Sequence, residues 1–251
     1  MTETRMPELD GAPLFLLDEL PEGPELLVGG QEGRHAVDVL RLAPGERVRV
    51  GDGRGTVAEG EVTGTGPQGL LVRVEVRLEV PPAEPRLVLV QALPKGDRGP
   101  LAVELATELG VDRIVPWAAS RCVTRWRDDR VAKGVAKWRA AAHAASKQSR
   151  RPRVPEVADL ASTREVCGEL ADVDLAVVLH EQARARISDV DVPPEGTVAI
   201  VVGPEGGLTD GEVLAFRAAG AEPVRLGPEV LRTSTAGAAA LAALSLRTRW
   251  R

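Results

Sequence analysis

The chain has 251 residues, 43% of them hydrophobic and 27% charged, with a formal net charge of −5. A polypeptide of this length buries roughly 70–75% of its unfolded surface, so no metal or disulfide staple is needed, and one large domain or two unequal ones are both open. Cys122 and Cys167 make neither a disulfide framework nor a zinc cluster, and no run approaches the ~20 apolar residues of a membrane span.

With four Trp, two Phe and no Tyr, the core must be aliphatic, and recognition of RNA through a row of exposed aromatics is disfavoured. The acidic opening MTETRMPELDG and the short LFLL run after it do not resemble a secretion signal, so a cytoplasmic protein is expected. Residues 1–80 read as a β domain with one short helix. Leu14–Leu17 and Leu26–Val28 are short strands, and Gln31–Leu42 has helical spacing at Ala36, Val39 and Leu40. Arg47–Val50, Thr56–Val62 and Leu70–Val80 are strands between Gly-rich turns, with Asp52-Gly53 as a hairpin turn. Gly64-Thr-Gly-Pro-Gln-Gly69 matches a dinucleotide fingerprint literally. A strand rather than a helix follows it, so it reads as a hairpin loop. Residues 81–85, Pro-Pro-Ala-Glu-Pro, form a stiff linker and the best domain boundary.

Residues 86–251 alternate strands and helices. Leu87–Gln91, Arg113–Pro116, Leu175–Leu179, Val198–Val202 and Pro223–Leu226 are strands; Gly99–Leu109, Asp128–Ser149, Asp210–Ala219 and Thr235–Leu246 are helices. Continuous apolar strands between helices predict an α/β fold, with a parallel sheet covered on both faces. Charge is unevenly spread. Residues 1–80 hold 8 basic and 15 acidic side chains, residues 81–160 hold 15 and 9, and residues 161–251 hold 9 and 13. Arg121 to Arg153 alone contains 11 basic residues against Asp128 and Asp129. Such a patch on an acidic protein suggests a nucleic-acid footprint, although a solvated amphipathic helix would look the same. Arg130, Lys133 and Lys137 follow one side of that helix, while Val131, Val135 and Trp138 form its expected buried stripe.

Two strand ends carry the strongest motifs. Val198–Val202 runs into Gly203-Pro-Glu-Gly-Gly207, after which Thr209 and Glu212 form a capping box. Glycines there let a ligand approach the backbone at the sheet edge where α/β proteins bind ligands. The short strand ending at Leu226 leads into Gly-Pro-Glu-Val-Leu-Arg-Thr-Ser-Thr-Ala236. Its hydroxyls suit helix capping, but Arg232 sits at a helix N-terminus, where the macrodipole disfavours a cation. The following Gly-Ala-Ala-Ala-Leu-Ala-Ala-Leu run is small on every face and must be packed on all sides. His180 ends one strand, and Lys95 and Arg98 follow another. His35, His143 and His180 are too scattered for a metal site, and no Ser/His/Asp or Cys/His arrangement is recognisable.

Together these segments resemble the small-subunit (16S) rRNA uracil-N3 methyltransferases, the RsmE family of knotted SPOUT enzymes, over nearly the whole chain. Arg34-His35, Val39-Leu40-Arg41 and the Gly45 turn look like that family's PUA-like N-terminal domain. Leu93-Pro-Lys-Gly-Asp-Arg98, Ala106-Thr-Glu-Leu-Gly110 and Gln148-Ser149 with Arg151 look like segments of its catalytic domain. Gly203–Gly207 and Leu226–Thr235 are its most diagnostic motifs. The chain departs from the family pattern at Ser234, usually Glu, and Glu104, commonly Lys.

The resemblance implies a small PUA-like β-barrel domain ahead of a SPOUT domain with a trefoil knot near the C-terminus, a rare exception to unknotted topology. It also implies S-adenosylmethionine (SAM) as cofactor, a homodimer, 16S rRNA or the small ribosomal subunit as partner, and methylation of a uridine N3. A SPOUT enzyme acting on another RNA nucleotide and a non-catalytic ribosome-assembly factor are the alternatives. On this reading Leu179, His180, Gly203, Pro204, Glu205, Gly206, Gly207, Leu226, Gly227, Leu231, Arg232, Thr233 and Ala236 would hold the cofactor. Arg232 would stabilise charge on the uracil oxygens, and Glu205 is a candidate general base. Arg34, Lys95, Arg98, Arg121, Arg130, Lys133, Lys137 and Arg151 would neutralise RNA phosphates. Neither a metal nor a membrane has a part.

Overall fold

A computed structural model describes residues 11–251; the acidic opening, residues 1–10, lies outside the described residues. The chain divides into two compact units. The first runs to Pro82 and includes Ser146–Val154; the second comprises Ala83–Ala145 and Pro155–Arg251.

In the first unit, β1 (Leu14–Leu16), β2 (Glu25–Val28), β3 (Arg47–Gly51), β4 (Thr56–Gly66) and β5 (Gly69–Glu79) form one sheet in the order β1-β3-β4-β5-β2. The β1–β3 pair is parallel and the others are antiparallel. The long β4–β5 hairpin turns at Pro67-Gln68, so the glycine fingerprint at 64–69 is a hairpin. The Asp52 carboxylate accepts the N–H groups of Arg54 and Thr56 and closes the β3–β4 turn. Between β2 and β3 the helical segment is short. α1 (Gly30–Arg34) passes directly into a π-helical turn, His35–Val39, and Arg41 follows with φ +55°. Phe15, Leu26, Val28, Val48, Val50, Val62, Leu70 and Val72 alternate inward from the strands to form the core.

The sequence boundary at 81–85 misses one excursion. Residues 146–154 lie in the second domain by sequence order but group with the first unit. The Val154 N–H donates to Gly53 O (2.9 Å), the Arg153 Nε to Val80 O (2.7 Å), and Lys147 pairs with Glu32 (2.6 Å). Backbone ladder bonds and charge pairs of this kind join partners distant in sequence, so a composition shift along the chain cannot reveal them.

The second unit is built on β6 (Arg86–Ala92), β7 (Arg113–Trp117), β8 (Glu156–Val157), β9 (Leu175–Leu179), β10 (Ala185–Arg186), β11 (Thr197–Val202) and β12 (Glu222–Arg225). All pair in parallel, in the order β10-β12-β9-β11-β6-β7-β8. The chain first builds outward from β6 to β8. It then crosses to β9, and β11 returns between β9 and β6, making a switch point beside the central strands. Leu87, Leu89, Val177, Val178, Val198 and Ile200 are buried along these strands, as their unbroken apolar runs require.

Helices α2 (Arg98–Glu108), α3 (Asp129–Gln148), α4 (Thr163–Ala171), α5 (Asp210–Ala218) and α6 (Thr233–Ser245) accompany the sheet. The sequence reading omits α4, although Ser162 and Glu165 make the same reciprocal capping box as Thr209 and Glu212 at α5. The small-residue helix is α6, packed against α2 and the β6–β11 strands. A Cβ on Gly237 would lie 3.0 Å from Leu89 Cδ1, so α6 packs closely on the sheet here. Of the scarce aromatics, Trp117, Trp138, Phe15 and Phe216 are fully buried, with Trp117 edge-on to Phe216 at 5.1 Å.

Candidate active site

The carboxyl ends of β9, β11 and β12 open into one cleft of about 600 Å³, within the range that encloses a cofactor-sized molecule. Its walls come from the segments after the three strands and from the start of α6. Every residue proposed above as a cofactor contact, from Leu179 and His180 through Gly203–Gly207 to Ala236, lines it. So do Glu181, Gln182, Asp210, Arg225, Glu229 and Val230, which the sequence reading does not single out. They are short-range neighbours of the motifs, legible only once the strand ends converge.

The wall after β11 is tightly fastened. Gly207 N–H donates to Pro204 O (2.9 Å), closing a turn. Thr209 caps α5, and the buried Glu212 carboxylate takes the Thr209 N–H (2.8 Å) and hydroxyl (2.9 Å) on one oxygen. Its other oxygen accepts the N–H of Ser120 (2.8 Å), in the loop after β7. Burial alone would raise the Glu212 pKa; the hydrogen bonds from Ser120 and Thr209 outweigh it and hold the carboxyl below its ordinary 4.5. The wall after β12 is different. Residues 227–231 are exposed, and among the described residues no hydrogen bond or ion pair reaches them. Arg232 is the N-cap of α6 and is exposed at the cleft, its side chain making no capping bond.

His180 holds its place through its N–H on Val224 O (2.9 Å), and its Nδ1 accepts the Gln182 N–H (3.2 Å). Nδ1 is thereby occupied, and the ring proton sits on Nε2 in the neutral form. Glu205, the candidate base, is exposed and accepts the main-chain N–H of Lys95 on Oε1 (3.0 Å). Cys122 is buried nearby. Desolvation pushes its thiol up, and Glu205 and Glu212 add to this, so it stays neutral and is no nucleophile.

The expected RNA-contact residues divide between the two units. Arg34 and Arg151 belong to the first unit, the others to the second. Arg130 and Lys133 are exposed on α3, and Val135 and Trp138 form its buried stripe, with Val131 half-buried. Lys137 is exposed but already paired with Asp97 at 2.9 Å, so the stripe is less free than its spacing suggests. Lys95 is exposed, and Arg98 half-buried at the start of α2. Arg121 departs furthest from expectation: it lines the cleft, and its Nη1 donates to Gly206 O (3.2 Å) and Leu208 O (3.1 Å). Ser234 is buried in the first turn of α6 and Glu104 exposed on α2. Among the described residues no cluster of His, Cys, Asp and Glu could hold a metal, and no helix is long and apolar enough to cross a membrane.

A parallel sheet with a candidate ligand cleft at its switch point, in a chain that also holds a small β unit, is an α/β architecture suited to binding a small ligand. Residues 82–245 match the RNA methyltransferase domain model, and residues 28–75 match the RNA methyltransferase PUA domain model. The chain is 47% identical over 245 residues to ribosomal RNA small subunit methyltransferase E of Mycobacterium bovis, covering 95% of this chain and 94% of the relative. It is 30% identical to the Bacillus subtilis protein of the same name, covering 92% and 93%. Ribosomal RNA small subunit methyltransferase E from Neisseria gonorrhoeae, crystallised with S-adenosyl methionine, superposes with a TM-score of 0.83 at 28% identity, covering 94% and 98%. The chain belongs to the ribosomal RNA small subunit methyltransferase E family.

Proposed function

We propose that this chain methylates N3 of a uridine in small-subunit rRNA, with SAM bound in the cleft at the ends of β9, β11 and β12. The observation that carries the reading is the convergence of the two glycine-bearing motifs and the His180 strand end on one cleft of cofactor size. Fit is favourable: the walls include glycines at 203, 206, 207 and 227, which admit close approach of a large polar ligand to the backbone. When bound, SAM supplies an electrophilic methyl group.

The protein's own residues must then align the uridine and handle its N3 proton. Arg232, unpaired by any described side chain and exposed at the cleft, is placed to stabilise negative charge on the uracil oxygens as the proton leaves. Glu205 keeps Oε2 free of hydrogen bonds while Lys95 N–H occupies Oε1, so it retains acceptor capacity at the cleft. Exposed cations on α3 and at Lys95, with Arg34 on the first unit, supply phosphate contacts.

The trefoil knot, the homodimer and the cytoplasmic location implied by the family resemblance belong to the same proposal. For the dimer, support comes from apolar side chains left in solvent, Val230 (77% exposed), Leu246 (64%) and Trp250 (49%); sedimentation should show a two-fold dimer. Mass spectrometry of 16S rRNA from a deletion strain tests the reaction: one N3-methyluridine disappears and returns with the cloned gene. Retention of every N3-methyluridine would refute it.

A further inference from the structure

By charge, Arg121 opens the basic segment that ends at Arg153, yet its exposed side chain also bonds the protein itself. One nitrogen, Nη1, bonds the carbonyls of Gly206 and Leu208. The backbones are also close: a Cβ on Gly206 would lie 3.1 Å from Arg121 Cβ and 3.2 Å from its carbonyl oxygen. A side chain at 206 would press on the Arg121 segment. Beside it, Ser120 is held by Glu212 (2.8 Å). In the segment after β6 the Lys95 N–H is held by Glu205 (3.0 Å), and the Thr124 hydroxyl joins the segments after β6 and β7 by donating to Pro94 O (2.8 Å). The loop 203–209 is thus held by the segments following β6 and β7, which lie on one side of β11 in the sheet.

We propose that Arg121 is a positioning residue for the cofactor loop and not a phosphate contact: it sets the affinity for SAM by fixing the Gly206 and Leu208 carbonyls before the ligand arrives. The proposal rests on the reading of the cleft as the SAM site. A segment with three glycines loses much conformational freedom on ordering. Holding it beforehand removes that cost from binding. A guanidinium suits the task because a charged donor bonds carbonyls more strongly than a neutral one.

The test measures SAM affinity by calorimetry, and the salt dependence of binding to purified 16S rRNA, for the full chain and for Arg121→Gln and Arg121→Lys. Arg121→Gln should weaken SAM binding about tenfold, equivalent to about 1.4 kcal/mol. Arg121→Lys should recover part of this loss, because the ammonium keeps a charged donor. The KM for SAM should rise with Kd, kcat at saturating SAM should move much less, and the slope of log RNA affinity against log salt should not change. A slope reduced by about 0.7–0.9 with unaltered SAM affinity would make Arg121 a phosphate contact and overturn the proposal. Equal SAM losses in both variants with a lowered Tm would also overturn it, since the residue would then serve folding. If the unsubstituted chain binds no SAM, the cleft reading fails as well; if it binds and Arg121→Gln binds equally, only the positioning role fails.

Discussion

The loops after β11 and β12 carry motifs of similar grammar, Gly-Pro-Glu followed by a helix, yet they are held in opposite ways. Residues 203–209 are tied by Arg121, Glu212, Lys95 N–H and an internal turn. Residues 227–231 stand in solvent with no described bond, ending at an uncommitted Arg232. One wall of the cleft is fastened by hydrogen bonds, and the other carries none among the described residues. That division suits a two-substrate reaction: a fixed wall lowers the cost of binding the small cofactor, and a loose one can adapt to a larger substrate.

Substitutions on each wall should therefore have different signatures. The largest effect is expected from the free wall. Arg232→Ala should lower kcat by about 10²–10³-fold, as removal of a charge-stabilising donor does, while SAM affinity from calorimetry moves far less. A drop confined to SAM binding would assign Arg232 to the cofactor and dissolve the contrast. On the fixed wall, Gly206→Val pushes a side chain against the Arg121 backbone. Overpacking of about 1–3 kcal/mol should weaken SAM binding by about 10- to 100-fold with little change in RNA affinity.

Glu212→Gln tests what fastens that wall. The amide would place an N–H against donors that now face a carboxylate, at a cost of about 1–3 kcal/mol, read as a Tm lower by several degrees. Because folding lowers the Glu212 pKa, its contribution to stability is present above its ordinary value of 4.5 and fades as pH falls through the folded value. The Tm difference between wild type and variant should accordingly shrink in acid; a gap that widens below pH 4.5 would contradict this. The smallest effect lies outside the cleft. Arg130→Gln and Lys133→Gln should each flatten the salt dependence of RNA binding by about 0.7–0.9. Lys137→Gln should do less, since Asp97 already competes for its ammonium.

Most elements were legible because their signals are local. Alternation marked β3, β4 and β5, unbroken apolar runs marked β6, β9 and β11, and Thr209 with Glu212 marked the start of α5. The two glycine motifs could be placed at strand ends by the same reasoning, and the cleft lies there. Helix α4 carries an equally local signal in the capping box of Ser162 and Glu165.

What the sequence alone determined was the set of periodic elements, the family resemblance and the motifs at the strand ends, since each motif and element depends on neighbours within a few positions. Tertiary structure decided three things that charge and spacing could not. Residues 146–154 join the first unit through Val154 and Arg153. Lys137 is paired with Asp97. Arg121, at the start of the basic segment, turns onto the loop 85 residues away. Each is a hydrogen bond or ion pair between distant segments, and such a bond exists only after the backbone has brought its partners within 3–4 Å.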